Sequence, residues 1–156
     1  SHWIYKTTKS IVMRNIYIKL ISLCVFCLMF VSCDKIDDLG GLEGQWQMTE
    51  WVDATGQLYA TQEIQIYYRF QLGLMAFHKV SQPDGFIHAC FENKDGVICI
   101  YSPFEYAGSG HSNILPMNTL QKYGVPQDGK MKIEELTSRK LVLSNPDVGT
   151  LSFRKY

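Results

Sequence analysis

The chain has no apolar run long enough to cross a bilayer as a helix. Its longest, residues 20–31, is 12 residues without a charge, against the roughly 20 that a ~30 Å hydrocarbon core requires. It also has no amphipathic helical pattern of ordinary length, which excludes alternating βαβ architecture. His78, His88 and His111 fall into no HxH or HExxH spacing and no Asp/His cluster, so a metal site is not expected. The Gly108-Ser109-Gly110-His111 run lacks the G-x-S-x-G elbow and its strand-to-helix context. The pairs Asp37-Asp38 and Glu134-Glu135 lie in a polar stretch and along a strand, where adjacent side chains point apart, so neither makes a glycosidase pair. No catalytic constellation remains: the expectation is a non-enzyme that needs no cofactor.

The short apolar run instead marks an export leader. Met13-Arg14 and Lys19 form a basic n-region and residues 20–31 an apolar h-region, while the dozen residues before Met13 read as upstream translation or an extended n-region. Phe30-Val31-Ser32-Cys33 resembles the lipobox cut by the lipoprotein signal peptidase, although an aliphatic residue usually stands where Phe30 does. The resemblance makes Cys33 the acylated first residue of the mature chain; a plain secretory signal cut near Ser32 is the alternative. Residues 34–43 are polar and acidic and include Gly40-Gly41, the composition of a flexible tether. An acidic cluster with a lysine after the lipidated cysteine also resembles a surface-export signal of Bacteroidetes lipoproteins. The expected location is the cell envelope, anchored by lipid to the outer membrane, on its periplasmic or surface face.

Residues 34–156 are about one domain, enough to bury roughly two-thirds of the unfolded surface. The whole chain balances 15 basic against 15 acidic residues. Lys6, Lys9, Arg14 and Lys19 leave with the leader and no acid does, so the mature chain carries four excess acids. Nucleic acid is therefore not an expected partner, because phosphate binding draws on Lys and Arg. Cys90 and Cys99 are the two cysteines left after Cys33. Small apolar strand residues and a disulfide are the competing readings, and hairpin register separates them. A type I turn with Gly96 as bulge sets Cys90 opposite Ile100, whereas a two-residue loop at Lys94-Asp95 sets the cysteines face to face.

Beyond Gly44 apolar and polar residues alternate with period two. The clearest case is residues 65–72, where Ile66, Tyr68, Phe70 and Leu72 alternate with Gln65, Tyr67, Arg69 and Gln71. Similar patterns at 45–51, 75–80, 86–92, 97–101, 131–135, 139–144 and 150–155 make about eight strands, besides a weak one near Leu58-Tyr59. Turn residues separate them at hairpin spacing. A meander closed into an antiparallel up-and-down barrel protects so many edges, with a sandwich as runner-up. Residues 103–129 form one long loop with a short helix at 118–123, capped by Asn118 and stopped by Gly124.

Gly44-Gln45-Trp46 at the first strand and Phe153-Arg154-Lys155 in the last, after signal, lipobox and tether, resemble the lipocalin-like lipoproteins of Bacteroidetes. The penultimate hairpin, residues 136–144, and the turn Lys122-Tyr123-Gly124-Val125 fit the same group. The resemblance implies an all-β, eight-stranded lipocalin-like barrel over residues 44–156, following a leader (1–33) and tether (34–43). It also implies that a basic residue of the last strand lies across the tryptophan, with Trp46 and Arg154 as the pair closing the barrel. Aromatic residues make up 13% of the chain and concentrate in its middle; they either fill a core or line a cavity. In the second case a small hydrophobic ligand would meet the inward Tyr68, Phe70 and Phe77 under a cover of Phe104 and Tyr106. The alternative function is a surface interaction module contacting an envelope protein or a glycan through residues 103–129. Cys33→Ala is expected to abolish labelling by a palmitate analogue and to release the protein from membranes; persistent labelling would refute the anchor.

Overall fold

The computed structural model describes residues 40–59, 65–81, 85–108 and 110–156. Period-two alternation becomes strands β1 (Gly44–Val52), β2 (Leu58–Tyr59), β3 (Ile66–Gln71), β4 (Leu74–Lys79), β5 (Ile87–Lys94), β6 (Val97–Tyr106) and β7 (Ser112–Ile114). A 3-10 helix (Met117–Tyr123) precedes β8 (Lys130–Leu136), β9 (Lys140–Asn145) and β10 (Gly149–Lys155). Eight of the strands, β1, β3, β4, β5, β6, β8, β9 and β10, lie side by side in sequence order, every pair antiparallel. β10 pairs back onto β1 and closes the barrel, which leaves these strands no open edge. β2 lies beside the end of β1, and β7 beside the end of β6.

Closure turns one face of each strand inward, and the inward residues are large. Trp46, Met48, Tyr68, Phe70, Met75, Phe77, Leu141, Leu143, Leu151 and Phe153 are all at most 2% exposed. The rings interlock: Tyr68 meets Phe77 edge to face at 4.9 Å and Phe153 at 4.6 Å, and Phe70 meets Phe91 at 5.2 Å. The 3-10 helix adds Leu120 and Tyr123 to this interior, and the buried Tyr68 hydroxyl donates to the Tyr123 carbonyl at 2.6 Å. Leu42, within the stretch read as tether, is fully buried, and its carbonyl accepts the Trp46 indole N–H at 2.7 Å.

The helix ends where the sequence places it. Gly124 is left-handed at φ 87°, and a side chain there would press on Leu151 at 2.9 Å. Its start differs: Pro116, not Asn118, is the N-cap, and no side chain caps it. The expected long loop is also more ordered than a loop, because β6 continues to Tyr106 and β7 folds back on it before the helix begins.

Two registers differ from expectation. Asp95 and Gly96 both have positive φ, so they form the two-residue turn of the β5–β6 hairpin, pairing Lys94 with Val97. Cys90 then faces Tyr101 and Cys99 faces Glu92; both thiols are free and half-buried. At the barrel's closure, Lys155 and not Arg154 lies over Trp46, its Nζ 4.4 Å from the ring centroid. Alternation is the reason. Phe153 faces inward and Lys155, two residues on, shares its side and pairs with Trp46, whereas Arg154 points out and donates to Gln47 Oε1 at 2.9 and 2.7 Å. Lys155→Gln should therefore cost about 0.5–2 kcal/mol in urea unfolding and Arg154→Gln less than about 0.5 kcal/mol; the reverse order would contradict this closure.

Candidate functional site: an aromatic groove on the outer wall

The inward side of the barrel is occupied, so the site is built on the outward side of β3 to β6. Register aligns one outward row across these strands. Arg69 pairs with Ala76, Ala76 with His88, and His88 with Phe104. The last member is there because of a bulge: pairing slips between His88 and Cys90, and Ser102 opposite the slip has φ 52°. An extra residue reverses the alternation beyond it. Ile98 and Ile100 point in, Pro103 is buried in its turn, and Phe104 and Tyr106 swing outside.

Outside, they complete a ladder of rings. His78 stacks on Phe86 at 4.7 Å, His88 on Phe104 at 5.4 Å, and Tyr106 meets His88 edge-on at 4.9 Å. Beside this ladder runs a groove of about 410 Å³, lined by Arg69, Leu74, Ala76, Phe86, His88 and Tyr106 among others. That volume lies within the range of small-molecule sites. Phe86 is 50% and Tyr106 62% exposed, so the apolar surface stands open to solvent. The Nδ1 atoms of His78 and His88 are buried and have no hydrogen-bond partner. Among the described residues no group of His, Cys, Asp and Glu could hold a metal, and no helix is long and apolar enough to cross a membrane.

The five residues expected to meet a ligand are thus divided by the barrel wall. Tyr68, Phe70 and Phe77 pack against one another and their neighbours inside, with no exposed surface; Phe104 and Tyr106 lie outside, where Tyr106 lines the groove. Cys33 falls outside the described residues. Sequence reasoning missed Arg69, Ala76, Phe86 and His88 as a group. Arg69, Ala76 and His88 show an outward parity in their strands and Phe86 stands just before β5, but the row they flank depends on pairing registers set by the turns and the bulge.

A closed, up-and-down antiparallel barrel, begun by Gly-x-Trp and filled in part by a 3-10 helix, is a lipocalin-like barrel, a fold suited to binding small ligands. The chain belongs to the lipocalin-like domain family, whose model matches residues 28–156. It is similar to a lipocalin-like protein from Bacteroides uniformis, with 25% identity and a TM-score of 0.53, covering 75% of this chain and 100% of that one. An uncharacterised protein from Bacteroides eggerthii shares the fold at 23% identity and a TM-score of 0.51, covering 74% and 99% respectively. No curated protein matches the chain.

Burial holds the His88 pKa below the ordinary histidine value of 6.5, because desolvation disfavours the imidazolium. Above about pH 6.5 the ring is neutral both folded and unfolded, and the barrel carries no penalty. As pH falls through the window below that value the unfolded chain takes the proton first, so stability declines until the folded ring is protonated too. The melting temperature should accordingly drop more between about pH 7.5 and 5 for the wild type than for His88→Gln; equal drops would show that His88 is not held neutral.

Proposed function

We propose that the protein is a lipid-anchored, non-enzymatic binding protein of the cell envelope that takes a small hydrophobic ligand on the outer wall of a solid barrel. The observation that carries this reading is the contrast between the two faces of one sheet. The inner face is filled by interlocked rings, whereas the outer face holds an open groove of about 410 Å³ with exposed aromatic edges. Filling the interior removes the usual place for a guest in a barrel of eight strands, and the exposed rings offer apolar area that a ligand can withdraw from water. The anchor is assigned to Cys33 on the outer membrane, with the polar residues that follow as the spacer.

A second reading is favoured by the hairpin of β6 and β7. Ile114 there, paired with Phe104, is 86% exposed, which suits contact with an envelope protein more than with a small molecule. The two readings part in native mass spectrometry of the protein taken from its own envelope. An apolar adduct of defined mass is expected, retained by Tyr68→Phe inside the barrel and lost by Ala76→Leu in the groove. A bare mass with one co-purifying envelope protein would favour the hairpin, and an adduct lost by Tyr68→Phe but kept by Ala76→Leu would put the ligand inside.

A further inference from the structure

We infer that the outer groove takes a planar aromatic carboxylate, its ring laid over Ala76 against His88 and Phe86 and its carboxylate held by Arg69; this rests on the groove being the binding surface. The argument begins with the outward row Arg69, Ala76, His88. Neighbouring strands are about 4.8 Å apart, so the outer two positions of the row stand roughly twice that distance apart. The residue between them is alanine, whose methyl forms a low floor. Subtracting the half-thickness of each wall leaves about 6 Å, room for one flat ring of about 3.4 Å thickness. Phe86 and His88 supply the ring surfaces on one side, and Leu74 bounds the slot along β4.

Charge selects among flat molecules. Among the described residues Arg69 is the cation lining the groove, no carboxylate lines it, and no acid pairs with this guanidinium. Its fork matches a carboxylate in a bidentate pair. A single guanidinium suits a monoanion better than a phosphate, for which sites gather several donors. The slot, its floor and its one cation are therefore complementary to a flat apolar body with one carboxylate on its rim.

The test is calorimetric titration of the full chain with naphthoate and with its neutral counterpart, naphthalenemethanol. Wild type should bind naphthoate at least about tenfold more tightly than the alcohol, and that preference should shrink when salt is raised. Arg69→Gln should remove the preference and leave the alcohol's affinity within about twofold, while Ala76→Leu should abolish binding of both without lowering the melting temperature, because its side chain faces out. Equal affinity for acid and alcohol in wild type, both lost in Ala76→Leu, would overturn the acidic ligand class and leave the groove as the binding surface. Binding of both that survives Ala76→Leu, or no binding of either, would overturn the inference and the groove with it.

Discussion

The hydrogen bond from the Tyr68 hydroxyl to the Tyr123 carbonyl is fully buried, and it ties the 3-10 helix into an interior already occupied by rings. A buried hydroxyl left without a partner costs on the order of 1–3 kcal/mol, so the helix cannot leave the barrel cheaply once Tyr68 is inside. Tyr68 touches Phe70, Phe77 and Phe153, and Phe77 touches Tyr123 in turn. One residue thereby couples β3, β4, β10 and the helix. Burial also pushes the Tyr68 pKa far up, so the hydroxyl stays a neutral donor across the range in which the protein folds. A barrel that could hold a guest is instead held together by its own side chains.

A filled interior has a consequence for the outside. The interlocked inner rings resist sliding of the strands, and a one-residue slip would turn the whole inner face to water. The registers that place Arg69, Ala76 and His88 in a row are therefore maintained from within. Pairing slips in β1 between Met48 and Glu50, in β8 between Ile133 and Glu135, and at Ser102 in β6, and the last of these breaks shapes the groove. The left-handed φ of Ser102 costs about 1–2 kcal/mol, and it lets Pro103 enter the interior while Phe104 and Tyr106 join the ring ladder outside. The proposed groove exists because the interior fixes the registers and because β6 changes parity halfway along.

How much of this could be read from the residues follows from the range of each signal. Alternation in β3, where Ile66, Tyr68 and Phe70 are buried and Arg69 exposed, is local and visible, and so is the Gly124 stop of the helix. The closing cation was legible too, since alternation from Phe153 points to Lys155; the resemblance drew attention to Arg154 against the parity of its own strand. The Asp95-Gly96 turn carries a strong local type I′ signal, and both residues have the positive φ it requires. Ser102-Pro103 in mid-strand was a quieter sign, since a proline cannot donate to a ladder and favours bulges. The groove was not legible because it is made by four strands, and no single strand contains the distance from Arg69 to His88.

Ala76 lines the groove on the outer side of the wall, whereas Leu143 and Leu151 are fully buried on its inner side. Intermolecular nuclear Overhauser effects from bound naphthoate to these methyl groups separate outside from inside. A solid barrel with an external site predicts contacts to the Ala76 methyl and none to those of Leu143 or Leu151. Contacts to the Leu143 and Leu151 methyls without Ala76 would mean that the interior opens to admit a ligand, and would contradict the account.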